Sequence, residues 1–175
     1  MPIDDAANAR PVLHEDEMDR DPIAQLQLWL DQATEAGLAE PTAAALATAT
    51  RDGRPSVRMV LARPAAGAIA FYTHYESRKA RELAENPCGA LTYHWQPLGR
   101  QVRLEGAVER AAAAASDAYF DARPVESRLG AWASPQSETI PDRAFLERRI
   151  EELAARYRNA RVPRPSFWEI GRAHV

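Results

Sequence analysis

Four cations stand out by type and spacing: Arg58, Arg63, Arg78 and Lys79. Arg58 and Arg63 bracket the run Arg-Met-Val-Leu-Ala-Arg, which reads as a strand. Arg78 and Lys79 follow Ser77 at the start of a short helix. Cations in a first helical turn oppose the helix dipole. An anion held there reverses that penalty, because backbone N–H groups and both side chains then face it. A guanidinium fork also matches two phosphate oxygens. The chain carries a formal net charge of -3, so the cluster reads as a local site for a dianion such as phosphate rather than a general basic surface. Solvated surface charge is the alternative that the residues alone leave open. The five-residue offset between Arg58 and Arg63 puts them on opposite faces of a regular strand.

The elements that must position these cations are legible in outline. Asp21-Pro22 opens a helix with an N-cap and a proline at its first position. Ile23, Leu26, Trp29, Leu30 and Ala33 form its apolar face, and Gly37 stops it. Residues 43–50 and 55–62 are strands flanking Arg51-Asp52-Gly53-Arg54, and Asp-Gly between such runs signals a hairpin. Residues 68–73, 89–95 and 100–110 are three further strands. Ser77 is expected to cap a helix that Asn86-Pro87 ends. Five short strands joined by tight turns suggest a small antiparallel barrel. Residues 111–122 and 142–159 are helices, the second with Phe145, Leu146, Ile150, Leu153 and Tyr157 on one face. Residues 1–21 lack periodicity and read as a mobile arm.

Composition narrows the function classes. The chain has 175 residues, 46% hydrophobic and 27% charged, which suits one globular domain with a sizeable core. No apolar run has the length of a membrane span, and the N-terminus lacks a signal-peptide stretch, so the cytoplasm is the expected compartment. The single cysteine, Cys88, excludes an internal disulfide and a cysteine-based zinc site. His14, His74 and His94 have no ligand spacing, so no metal is expected. Acidic residues outnumber basic ones, 25 against 22, which argues against a nucleic-acid partner.

Several pieces then fall into one order: Arg58-Met59-Val60-Leu61, Phe71-Tyr72-Thr73, Ser77-Arg78-Lys79, Gln101-Val102-Arg103, Tyr119-Phe120, Arg123-Pro124 and the run Gly130 to Ser137, Gly-Ala-Trp-Ala-Ser-Pro-Gln-Ser. Together they resemble the pyridoxamine 5′-phosphate oxidase family from Asp21 to Trp168. The resemblance implies a mainly β fold with α, an FMN-binding split β-barrel (antiparallel, Greek-key-like) with flanking helices, working as a homodimer. It implies oxidation of pyridoxamine 5′-phosphate or pyridoxine 5′-phosphate by O₂ to pyridoxal 5′-phosphate with release of H₂O₂. The flavin carries the redox chemistry and the protein supplies position and charge.

The family's site residues carry over one by one. The FMN site comprises Arg58, Met59, Val60, Leu61, Ala62 and Arg63, with Arg58 toward the phosphate, then Tyr72 and Thr73. Arg78 and Lys79 hold the FMN phosphate. Gln101 bonds the flavin ring, and Gln136 and Ser137 complete the site from the other subunit. Tyr119, Arg123 and Ser127 take the substrate phosphate, with Arg63 near both ligands. No catalytic residue is assigned. From the residues alone Tyr119 and Arg123 are a pair one turn apart, and Pro124 ends their helix at Arg123. A non-catalytic flavin-binding member of the same fold, or an oxidase of secondary metabolites, is the alternative, since fold does not fix function.

Two departures from the family stand out. Position 63 is Arg where the family usually has Lys, and the two are not equivalent. The family also continues past Phe167-Trp168 with further strands and an Arg-Leu-His motif. The expectation is therefore a split-barrel domain over residues 22–168, incomplete at its C-terminus, with residues 169–175 as a non-native tail. His174 is not read as the motif's histidine.

Overall fold

The computed structural model describes residues 12–173. Strands β1 (Ala43–Ala49), β2 (Pro55–Ala65), β3 (Ala68–His74), β4 (Cys88–Trp95), β5 (Arg100–Arg110) and β6 (Trp168–Ala173) pair antiparallel. They close into a barrel in the order β1-β2-β3-β6-β5-β4. Alternation sends Leu46, Val60, Ala62, Leu91, Tyr93 and Trp95 inward, where they are buried with Ile69 and Phe71. Helix α1 (Pro22–Glu35) covers this core with Leu26, Leu30 and Ala33. Its start is the one read from Asp21, whose carboxylate accepts from the Ile23 N–H at 2.9 Å.

The turns follow their residue chemistry. Gly53 takes φ 85° in the hairpin between β1 and β2. The β2–β3 hairpin turns on Ala66 and Gly67, both left-handed, which matches the twist of the flanking strands.

Four further helices stand among the described residues: α2 (Arg78–Glu85), α3 (Ala113–Ala122), α4 (Val125–Ala133) and α5 (Arg143–Arg156). A second core gathers Phe120, Leu129, Val162 and Trp168, with Tyr157 and Leu153 from the end of α5 and beyond packed against it. Two ion pairs tie the extended segment that follows α5 to α3: Arg161 with Asp121, and Arg164 with Asp117 at 2.7 Å. They hold Val162 and Pro165 in place, and the Trp132 indole donates to the Pro163 carbonyl at 2.8 Å.

The structure differs from the sequence reading at three places. The barrel has a sixth strand, and it lies where the reading ends the domain: residues 168–173 pair with β3 along Ile69–His74 and with β5 along Val108–Arg110. The run carries no alternation of its own, and tertiary pairing makes it a strand. Residues 125–133, read only as part of a motif, form α4, whose Gly130 weakens the helical signal. Of the N-terminal arm, residues 1–11 lie outside the described residues. Glu15–Glu17 form a 3₁₀ turn, and the Asp19 N–H donates to Gln25 of α1 at 2.7 Å.

Gly171 leaves no room for a side chain. It faces Phe71 across the β3–β6 pair, and a Cβ at that position would lie 2.5 Å from Phe71 Cζ. Phe71 is fully buried and has nowhere to swing. Gly171→Ala is expected to destabilise the protein by about 1–3 kcal/mol. The check is a lower urea midpoint with an unchanged slope.

Candidate functional site

The start of α2 and the strands behind it assemble a cation cradle. Lys79 is buried at 5% exposure. Its ammonium donates to Gln136 Oε1 at 2.7 Å, Thr73 Oγ1 at 3.1 Å and Ser77 Oγ at 3.2 Å. All three acceptors are neutral. Burial first, and the nearby charge of Arg58 second, pull the Lys79 pKa down to about 8. Ser77 stands at the N-cap position, but its hydroxyl makes no bond to the helix N–H groups. It is drawn instead to Thr73 and Lys79, so the expected cap serves the cradle.

Behind Lys79 lies a carboxylate that the sequence reading missed. Glu82 is buried at 4% exposure. It accepts from Thr48, from Ser56 at 2.5 Å, from Arg58 at 3.3 Å and from Arg78 at 2.8 Å. Burial alone would raise its pKa. The hydrogen bonds from Ser56, Thr48 and Arg78, and then the charge of Arg78, outweigh burial and bring it to about 2. The i, i+4 spacing of Arg78 and Glu82 was the available signal. Three cations against one carboxylate leave the cradle with two positive charges in excess, the complement of a phosphate dianion. Its cavity, about 520 Å³, is lined by Arg58, Met59, Val60, Tyr72, Arg78, Lys79, Gln136 and Ser137 among others. Ser137 adopts a left-handed φ of 69° there, a conformation uncommon for a residue with a side chain.

A second cavity of about 430 Å³ adjoins the first and shares Tyr72 and Gln136 with it. Its walls include Leu61, Thr73, His74, Tyr119, Arg123, Ser127 and Trp168. Tyr72 and Tyr119 stack with ring centroids 3.5 Å apart, and Trp168 lies nearly parallel to both. Arg63 leans over the Tyr119 ring at 5.2 Å and donates to its hydroxyl at 3.2 Å. Arg123 caps α3 in extended conformation, as Pro124 requires, and its guanidinium sits 5.1 Å over Trp168. Arg63 Nε and Arg123 Nη1 are buried without a hydrogen-bond partner. A buried donor left unmet costs about 1–3 kcal/mol, and an anion in this cavity would supply what Arg123 lacks. Burial pushes the Tyr72 pKa up to about 12, with Tyr119 adding to the rise and Arg63 and Arg123 opposing it. Tyr72 is therefore a neutral phenol at neutral pH.

Most residues named from the sequence meet at these two cavities, with five differences. Arg58 and Arg63 do take opposite faces, but all the Arg58 Nη donors already go to protein: Leu46 O, Thr48, Ser56 and Glu82. Its fork therefore faces Glu82 rather than the open cavity. Ala62 is fully buried in the barrel core and lies off both cavity walls. Gln101 is exposed on β5, at the end paired with His94 of β4 and away from β6, and lies outside both cavities. Gln136, expected to act from another subunit, reaches Lys79 and the His74 N–H within the same chain. His74, given no site role from the sequence, lines the second cavity and stacks on Phe167 at 4.2 Å.

Residues 30–157 match the family profile described as pyridoxamine 5′-phosphate oxidase. The chain belongs to the pyridoxamine 5′-phosphate oxidase family. A pyridoxine/pyridoxamine 5′-phosphate oxidase of Nostoc punctiforme is 51% identical over 157 residues, covering 89% of this chain and 73% of the relative. The enzyme of that name from Rubrobacter xylanophilus is 51% identical over 160 residues, covering 91% and 74%. Among solved structures, PhzG from Burkholderia lata 383, in complex with tetrahydrophenazine-1-carboxylic acid, is 33% identical. It superposes with a TM-score of 0.85 over 94% of this chain and 82% of its own. A pyridoxamine 5′-phosphate oxidase-related, FMN-binding protein from Nostoc punctiforme has a TM-score of 0.68 at 16% identity, with 89% and 82% covered. That likeness supports the split-barrel fold alone. Both cavities draw most of their walls from within the matched span; Trp168 lies beyond it.

Proposed function

We propose that the chain is an FMN-dependent oxidase of pyridoxamine 5′-phosphate or pyridoxine 5′-phosphate, acting as a homodimer in the cytoplasm. The single observation that carries the reading is the pair of anion-seeking cavities that share Tyr72 and Gln136. A flavin held by its phosphate and a substrate held by its own phosphate would meet at that wall. The cradle fits FMN because its two excess positive charges match the dianion and because buried Lys79 has only neutral partners. When bound, FMN supplies the electron acceptor that O₂ reoxidises, with H₂O₂ as the reduced product. Lys79 and Arg78 hold the FMN phosphate, Tyr72 and Gln136 form the wall between the sites, and Arg123, Tyr119 and Ser127 hold the substrate phosphate. Arg63 orients Tyr119 through the bond to its hydroxyl.

A second reading rests on the 33% identity to PhzG. A reduced ring bearing a carboxylate would also satisfy Arg123. Comparing pyridoxamine 5′-phosphate with such an acid as reductant of the bound flavin separates the two: faster reduction by the phosphate ester supports the first reading.

The cradle also sets a pH dependence. Lys79 in the ligand-free protein titrates near 8, below its ordinary 10.5, and a bound dianion favours its charged form. FMN affinity is therefore full just below pH 8 and falls about tenfold per pH unit above it. Riboflavin, which has no phosphate, should bind with no such slope. Stability runs the other way. Between pH 8 and 10.5 the unfolded chain keeps a proton that folded Lys79 has lost. The ligand-free protein therefore gains stability as pH rises through that window. Fluorescence titrations with the two flavins across pH 7–10 check the sign. Equal slopes for FMN and riboflavin would contradict the assignment.

A further inference from the structure

Glu82 is absent from the walls of both cavities, yet it touches two residues that line the first. Its Oε2 takes Arg58 Nη2 and its Oε1 takes Arg78 Nε. Thr48 of β1 and Ser56 of β2 donate to Oε2 and hold the carboxylate still. The consequences for the two arginines are complementary. Arg58 has its Nη groups committed to protein oxygens, which leaves Nε as its one donor outside that set. Arg78 has Nε committed, which leaves its outer Nη pair free, and its side chain is 58% exposed at the cavity mouth.

We propose that Glu82 is a positioning residue that fixes the orientation of Arg58 and Arg78, so that the cradle selects a phosphorylated flavin over an unphosphorylated one. The inference rests on the reading of the cradle as the FMN phosphate site. Glu82 also sets the charge balance: with it the cluster offers two net positive charges, and without it three. Removing the carboxylate therefore adds attraction for any anion while releasing the two guanidinium groups. Orientation outweighs charge here, because the extra charge would sit on side chains free to turn to solvent. Charged pairs lose their value when their geometry is lost.

The test compares FMN and riboflavin binding to the full chain and to Glu82→Gln. Partners that orient directly binding groups at metal sites are worth about 10–100-fold, and a loss of that size is expected for FMN. Riboflavin affinity should be unchanged, so the preference for FMN collapses. A role confined to stability would move both ligands together or neither, and either result would overturn the proposal. Ser56→Ala covers the case in which Glu82→Gln does not fold. It removes one anchor shared by Glu82 and Arg58 and should lower the FMN preference in the same direction, while an unchanged preference would count against Glu82. A wild-type chain that binds FMN no better than riboflavin would instead defeat the reading of the cradle itself, so the two failures are distinguishable.

Discussion

Lys79→Met is expected to weaken FMN binding by about two orders of magnitude while leaving the barrel folded. Lys79 brings the one buried ammonium in the cradle, and its three hydrogen bonds go to neutral oxygens. Truncating one partner of a buried, hydrogen-bonded charge pair costs about 2–5 kcal/mol, and each 1.4 kcal/mol is about tenfold in affinity. Methionine matches the length of the aliphatic stem and needs no hydrogen bonds, so the ligand-free protein does not lose stability through burial of an unpaired group. Thr73, Ser77 and Gln136 keep one another and the His74 N–H as partners. Riboflavin affinity should change little. Fluorescence quenching titrations with both flavins make the comparison, and an unchanged FMN dissociation constant would remove Lys79 from the phosphate site.

Arg123→Met carries the second large effect, an increase of about 100-fold in KM for pyridoxamine 5′-phosphate. Arg123 Nη1 is buried without a partner, its guanidinium rests on Trp168, and burial lowers its pKa. A bidentate arginine–phosphate contact is among the stronger charge-assisted interactions. Its loss at a point remote from the reacting carbon is read mainly in KM. The same substitution removes a buried donor that the ligand-free protein leaves unmet. Its melting temperature without ligand should therefore hold or rise, the pattern of a residue kept for binding at some expense of stability. A fall in both melting temperature and kcat, with KM unchanged, would make Arg123 structural.

Much of this was legible in the sequence because the determinants are local. Asp21-Pro22, Asp52-Gly53 and Arg123-Pro124 each fix a boundary through backbone chemistry, and the structure keeps all three. Turn signals bound the runs that became β1 to β5, and burial alternates along β1 and most of β5. The sixth strand was not legible. Its run has no period of its own, and only pairing with β3 and β5 defines it. Of the site, the cations could be found because charge next to a helix start is conspicuous. Glu82 is marked in the sequence only by its i, i+4 spacing from Arg78; its importance lies in meeting Thr48 and Ser56 from two strands. The direction of the Arg58 fork is likewise a tertiary fact: strand parity gives its face, and Glu82 gives its aim.

On the proposed function, a flavin anchored at Lys79 and a phosphorylated amine anchored at Arg123 react across the wall formed by Tyr72 and Gln136. The most direct measurement is the absorption of the FMN-loaded chain, mixed without oxygen first with pyridoxamine 5′-phosphate and then with unphosphorylated pyridoxamine. Rapid bleaching of the long-wavelength flavin band by the phosphate ester is expected, with recovery of the band on admitting O₂ and far slower bleaching by the free amine. Bound flavin that neither compound bleaches, or equal bleaching by both, would contradict it.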